Sequence, residues 1–577
     1  MAEFASPGII STERDFSQTV QMLGTSTGGT VINSKWGFVD YEMVCGNEQE
    51  LVVQAGKPTD TNFRDWFVAA NFLKYTSALR WVRVIDEETA LNATTGGSTP
   101  GILIKNKGHL DVVRSVGGSL THFFAAKCPS DLGNTIQVDI ADASTFEDWA
   151  HASLFDTAPG TSGALGGSSA EALDEIHVVI VDKLGMFSGV PGSVLETYPY
   201  LSKARDAKSV NGDSSYYINV LNTKSEYVWG LAPISGTNVV ENTGNEFSSF
   251  GATLADGKPF IALSVAYSAK LSGGADGGVP TKDAYIAAFE VLTTPDDTDI
   301  ALLFAGGTGG DANHGSVSNY VLTESSRRGD MVGFVSPKFT DVVGVLKTQV
   351  VNNILDTKRA LTTKDSFGVM TTGYKLQYDR YNDQNRWVPG NGDDAGLCAR
   401  AENQFNVWVS PAGYNRGQYI DCIQLAFNPD KNARDTLYRE NINPVATFPK
   451  DGTILYGDKT MQAKNSAFSW IGIRRLFNYL RKSIKEASKY SLFEFNTQFT
   501  RQAFKDMIEP ILREIKGRQG IVDFYVRCDE TNNTDTVIQK GEFLADVIIK
   551  PQYSIQGIRL SFTAVRREVS FDEVIVA

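Results

Sequence analysis

Apolar residues recur at spacings of three and four in three well-separated stretches of the chain. Phe63, Trp66, Phe67, Ala70, Phe72 and Leu73 crowd one broad face of a helix expected to reach Tyr75. From Ile473 the apolar positions are Ile473, Leu476, Phe477, Leu480, Ile484 and Ala487, and cations fill the gaps: Arg474, Arg475, Arg481, Lys482, Lys485 and Lys489. That pattern predicts an amphipathic helix with one apolar stripe and one basic face. A third helix is expected over about 501–516, burying Phe504, Met507, Ile508, Ile511, Leu512 and Ile515. Between these stretches the period changes to two. Residues 79–85 alternate as a strand with arginines on one side, and 176–183 read as a buried strand. That second strand opens an α/β segment running through 217–221 to a helix near 282–292. Thr19 to Leu23 begins a short strand, and Phe543–Ile549 and Ile558–Val565 read as strands near the other end.

Turn signals and composition divide the chain. Ser6-Pro7-Gly8 marks a turn in an extended arm, and residues 92–101 and 157–169, rich in Gly, Ser, Thr and Ala, read as linkers. Two glycine-rich loops follow, at 272–279 and 305–316. A chain of 577 residues exceeds one hydrophobic core, so two to four α+β domains are expected.

Charge alters the picture locally. The chain carries a net −13, which gives polyanions such as DNA no overall attraction, and no direct nucleic-acid partner is expected. Residues 470–518 run the other way, with 11 Lys plus Arg against 5 Asp plus Glu. A solvated helix face is the ordinary reading of such a run. The five cysteines (45, 128, 398, 422 and 528) are widely spaced and lack a C-x-x-C pair, which indicates neither a disulfide framework nor a zinc site and fits a reducing compartment. The N-terminus lacks a basic and apolar leader, and no stretch of eighteen apolar residues exists, so neither a signal peptide nor a membrane span is expected.

Reaction chemistry finds no foothold. The five histidines (109, 122, 151, 177 and 314) stand in unrelated contexts, and His177 reads as a packed, hydrogen-bonded strand residue. Neither a G-x-S-x-G elbow nor a G-x-x-x-x-G-K-[ST] loop is present. Gly457-Asp-Lys-Thr460 lacks the glycines that present backbone N–H groups, and Gly273–Gly278 reads as a turn between strands. Asp379, Asp383, Asp393 and Asp394 lack the alternate spacing of a calcium loop, so structural hydrogen bonding is expected of them. The expectation is therefore a structural protein with no catalytic residues, no metal and no cofactor.

Specific strings then suggest a family. Residues 378–389 (YDRYNDQNRWVP), 394–400 (DAGLCAR), 410–417 (SPAGYNRG), 437–444 (LYRENINP) and 455–460 (LYGDKT) resemble the contractile-tail sheath proteins of T-even-like myophages. So do 473–478 (IRRLFN), 493–501 (FEFNTQFTR) and 526–533 (VRCDETNN), and, near the start, 6–9 (SPGI) and 56–59 (GKPT). The resemblance covers roughly 1–90 and 360–577 well and is weaker over 91–345.

The resemblance implies a multidomain α+β subunit whose α/β core is built from both chain ends, with inserted β-rich protruding domains and extended terminal arms. It implies an N-terminal arm over 1–20, core over 21–90, an outer β-rich domain over 91–175, a middle α/β domain over 176–345, tube-facing core over 346–557 and a C-terminal arm over 558–577. The arms would add strands to neighbouring copies through Ser6, Pro7, Gly8, Ile9 and Val20 at one end and Ile558, Leu560, Phe562, Phe571 and Val574 at the other. The candidate tube-facing residues are Arg474, Arg475, Arg481, Lys482, Lys485 and Lys489. The implied partners are further copies in stacked hexameric rings, a tail tube protein, and baseplate and tail terminator proteins. The implied location is the virion tail, assembled in the host cytoplasm. The sheath of a phage-derived injection particle is the alternative, and a ligand-binding α/β enzyme resting on the glycine loops is a distant one.

Overall fold

The computed structural model describes residues 24–96, 101–116, 121–162, 174–205, 207–209, 211–232, 263–294, 299–308 and 310–556. The chain divides into two compact units. The larger holds Leu23–Val407 and Pro411–Tyr479; the described part of the smaller holds Trp408–Ser410 and 480–556.

A six-stranded sheet organises the larger unit. Its strands are β1 (Gly28–Ile32), β2 (Glu42–Cys45), β3 (Leu79–Arg83), β4 (Leu302–Phe304), β5 (Val332–Val335) and β6 (Gly368–Met370), in the spatial order β6-β5-β4-β1-β3-β2. All neighbours are parallel except the edge strand β2, which runs antiparallel to β3. Side chains alternate across the sheet, so every strand but the edge strand β2 feeds two cores. Ile32, Trp81, Leu302, Phe304, Phe334 and Val369 bury with helices α1 (Phe63–Leu73) and α4 (Asn391–Gln404). Val31, Val82, Leu303, Val335 and Met370 bury with α2 (Lys282–Thr293), α3 (Asp311–Arg328) and the helix Lys347–Ala360. Helix α1 is buried from Asp65 to Phe72, beyond the single face its spacing predicts. A close approach to α4 explains this: a Cβ on Gly392 would lie 2.3 Å from the Val68 carbonyl oxygen.

Strands β4 and β5 were expected in a middle domain ending at 345, yet they pair into the same sheet as β1. The three-residue β4 carries too little pattern to announce its partner β1, where Gly28 pairs with Leu302. The boundary expected at 175/176 also falls between paired strands. Ile136–Asp142 and Glu175–Asp182 are antiparallel along their whole length, within a four-stranded sheet completed by Tyr267–Lys270 and Ser193–Ser202. The linker expected at 92–101 contains a strand, Thr94–Gly96, whose two threonines are buried, in a second, three-stranded sheet.

The arginines of β3 lie on opposite faces, as their odd separation requires, and not on one side. Arg80 pairs with Glu42 at the sheet edge. Arg83 is fully buried and donates to the carbonyls of Ser34, Lys35, Gly37 and Pro129. Burial lowers its pKa to about 10, opposed only in part by the charges of Asp276 and Asp131.

The smaller unit contains the end of helix α5 (Ile471–Ser488), helix α6 (Gln498–Gly517) and an antiparallel hairpin of β7 (Ile521–Arg527) and β8 (Asp546–Pro551). Phe504, Ile508, Leu512 and Ile515 on α6 bury together with Ile521 and Val526 of β7. Met507 and Ile511, also expected inside, are half-buried. The strand expected at 543–549 begins three residues later, at Asp546. No helix among the described residues is long and apolar enough to cross a membrane. The arm positions 6–9, 20, 558, 560, 562, 571 and 574 lie outside the described residues.

Candidate assembly surface

In the larger unit, the place where the sheet topology would invite a ligand is filled by the chain itself. A doubly wound sheet binds ligands where its strand order reverses, which here is between the C-terminal ends of β1 and β4. The glycine loop after β4 leads to α3, as a phosphate-binding turn would. Its Gly307 N–H instead donates to Asp65 Oδ1 at 2.7 Å, and the other Asp65 oxygen accepts from Tyr285 at 2.6 Å. Asn391 Nδ2 donates to the Gly306 carbonyl at 2.9 Å. An internal carboxylate thus occupies the position an anion would take.

The acidic motif is likewise internal. Asp393 accepts from Lys375 Nζ at 2.8 Å and from Tyr75 at 2.9 Å, and both partners of that ion pair are fully buried. Asp394 bonds Tyr419 at 2.5 Å and Thr371. Burial pushes Asp394 up to about 7, assisted by the neighbouring Asp393 charge and opposed by the two hydroxyls and Lys375. Asp379 accepts from Arg386 at 3.2 Å and from two turn amides, and Asp383 from Tyr378 at 2.8 Å. These acids do the hydrogen bonding expected of them. His177, also as expected, is packed: it stacks on Phe155 at 4.2 Å and bonds the Thr157 carbonyl at 3.0 Å. Among the described residues, no group of three or more His, Cys, Asp or Glu could hold a metal ion.

The smaller unit does the opposite. Leu492, Phe493, Phe495 and Phe499 are all exposed, Phe493 completely and Phe495 by 84%. Their loop is not slack. The Phe495 carbonyl accepts from Thr497 N–H and the Thr500 hydroxyl, both at 2.8 Å. Asn496 Nδ2 donates to the Glu542 carbonyl at 2.9 Å, and the buried Asn533 bonds both N–H and C=O of Leu544. Phe493 itself has φ of +70°, a left-handed backbone that costs a non-glycine residue on the order of 1 kcal/mol and needs its surroundings to hold it.

The β7–β8 hairpin adds a second exposed area. Tyr525 and Ile548 stand opposite each other, 55% and 53% exposed, between the ion pairs Lys516–Asp523 and Arg527–Asp546. Among the described residues this ladder has two strands, so each has an open edge of backbone donors and acceptors. Preorganised aromatics beside open strand edges are the makings of a protein–protein contact.

The basic helix separates into two parts. Arg474 is buried, held between the rings of Phe367 and Phe468 at 4.3 and 4.5 Å and bonded to Asn478 and Ser366. Arg475 is buried against Glu402 at 2.5 Å and the Cys398 carbonyl at 2.7 Å. Neither presents its charge to solvent, contrary to the basic face that the spacing predicts, because the first turns of α5 are enclosed by their own unit. Arg481, Lys485 and Lys489 are exposed and Lys482 half-buried, and Lys489 pairs with Glu486. The exposed Phe493, Phe495, Tyr525 and Ile548 are the surface residues that periodicity did not single out. For the two phenylalanines the available signal was the apolar residues just before the helix cap Thr497, which sequence alone does not distinguish from core.

The comparisons with known proteins fall on this part of the chain and on the whole. A family model of the phage tail sheath C-terminal domain matches residues 463–564. The tail sheath protein of Enterobacteria phage T4 is 32% identical, over 99% of this chain and 99% of its own length. The tail sheath protein of Salmonella phage ViI is 28% identical over 99% and 97%. A solved sheath tail protein from Listeria innocua covers 91% of this chain and 94% of its own at a TM-score of 0.52 and 11% identity, a likeness of fold alone.

Proposed function

Because the chain belongs to the tail sheath protein family, we propose that it polymerises helically around a tail tube and drives that tube through the host envelope when the sheath contracts. The observation that carries this reading is the full-length similarity to a tail sheath protein, with the family's C-terminal domain falling on the unit that exposes its aromatics. The work is mechanical, stored in subunit packing and released by a switch between two arrangements of near-rigid bodies, with no reaction catalysed. The partners are further copies in stacked hexameric rings, a tail tube protein, and baseplate and tail terminator proteins. The subunit assembles in the host cytoplasm and resides in the virion tail. The tail sheath proteins of phages T4 and ViI match it over 99% of its length, which favours a virion over a phage-derived injection particle.

Residues 1–20 and 558–577 act as arms that lend strands to neighbouring copies. The open edges of β7 and β8 suit such strands, since main-chain bonds supply affinity and alternate side chains supply register. Donor and acceptor surfaces differ, so the contact propagates and does not close into a dimer. Deleting either arm is expected to leave folded subunits that do not polymerise; wild-type sheath lengths from both truncations would overturn the assignment.

Arg481, Lys482, Lys485 and Lys489 face an acidic tube surface. Exposed ion pairs of ~0.2–1 kcal/mol each suit a contact that must be released. Reversing Arg481, Lys482 and Lys485 to Glu is expected to weaken co-assembly with tubes while sparing tube-free polymerisation. Unchanged co-assembly would leave these cations as a solvated face.

A further inference from the structure

Where the described chain begins, its backbone is gripped by a nearly dry ion pair. Thr25 N–H donates to Glu402 Oε1 at 2.7 Å and the Thr25 hydroxyl to Oε2 at 2.8 Å. Arg475 donates to that same Oε2 at 2.5 Å and to the Thr25 carbonyl at 3.4 Å, while its other nitrogen is fixed on the Cys398 carbonyl. Thr25 is 3% exposed. Two residues on, the Thr27 carbonyl accepts from the N–H groups of Ala301 and Leu302, and Gly28 N–H donates to Ala78. The chain then becomes β1, bonded on both sides by β3 and β4.

This arrangement suits a load. A pull on the chain ahead of Thr25, directed along β1, strains the bonds on both sides of the strand together, in shear. The pair itself adds little to stability, since a buried ion pair is often no better than apolar residues of the same shape. What it supplies is a directional, charge-assisted hold on one residue's N–H, hydroxyl and carbonyl.

We propose that Glu402 and Arg475 form an anchoring clamp for the N-terminal segment, delivering tension exerted on residues 1–23 by a second copy into the middle of the sheet. The proposal rests on the reading of residues 1–20 as an arm. Glu402 and Arg475 are positioning residues: they hold the root of the arm and touch no partner.

Two variants test it in the full chain, beside a chain lacking 1–20. Thr25→Val removes one bond and leaves the ion pair intact; Glu402→Leu with Arg475→Met replaces both charges, so that neither is left buried alone. Thr25→Val is expected to melt close to wild type and the double variant lower, because the buried Thr25 N–H and hydroxyl lose their acceptor, and both are expected to assemble sheaths of wild-type length. Hydrogen exchange at the Thr25 amide should rise roughly tenfold or more in the double variant, the effect of losing one charge-assisted bond. On triggered contraction its sheaths should break into fragments, with Thr25→Val intermediate. If the truncated chain blocks assembly while both clamp variants contract unbroken, the clamp is overturned and the arm stands. If the truncated chain builds sheaths that contract intact, both fall, because no tension then runs through the segment.

Discussion

In the larger unit β1, β3 and β4 bury apolar side chains on both faces, and even the acidic motif at 393–394 is closed off by the unit's own lysine, tyrosines and threonine. In the smaller unit the β7–β8 ladder buries one face and leaves Tyr525 and Ile548 to solvent, and the loop before α6 turns its phenylalanines outward. The two regions spend similar residue types on different ends. One uses aromatic and polar groups to fix its own fold; the other holds them exposed, at the cost of a strained Phe493 backbone. A core aromatic and a surface aromatic should therefore respond oppositely to deletion, in stability and in assembly.

The largest loss of stability is expected inside the parallel sheet. Trp81 on β3 is fully buried between β1 and β2, and Trp81→Ala should cost about 3–5 kcal/mol, read as a fall in denaturation midpoint. An unaltered midpoint would mean that the two-faced core is not what holds this unit.

A smaller, pH-dependent effect is expected at Asp394. Its folded pKa of about 7 lies above its ordinary value of 3.8 because burial disfavours the charge. A raised folded pKa means the stabilising contribution is complete below the unfolded value and is lost as pH climbs through the folded one. Asp394→Asn cannot ionise and keeps the shape, so its stability relative to wild type should rise between about pH 4 and pH 7 and level off above. Parallel pH profiles for the two proteins would show that Asp394 titrates like an exposed acid.

How far these features could be read in advance depends on the range of the interaction behind each. The stripe of α5 was legible because it is local: Ile473, Leu476, Leu480 and Ala487 repeat at helical spacing and are buried. The sheet was not, because β4 and β6 are three residues long and β4 joins β1, where Gly28 pairs with Leu302. Arg474 and Arg475 read as part of a basic face because cations on helices are usually solvated. Here Phe367, Phe468 and Glu402 come from segments whose approach no local pattern reports. The strings 493–501 and 526–533 pointed to the family without revealing their roles. In the fold, Asn496 and Asn533 brace the loops around the outward phenylalanines.

The smallest effect on folding, and the largest on assembly, is expected at those phenylalanines. The double variant Phe493→Ser, Phe495→Ser should keep its melting stability to within about 0.5 kcal/mol, as surface substitutions do. Negative-stain electron microscopy of the purified wild-type chain should show long hollow helical tubes, and of the variant only dispersed subunits. Tubes of wild-type length from the variant would contradict the claim that this exposed surface joins the sheath together.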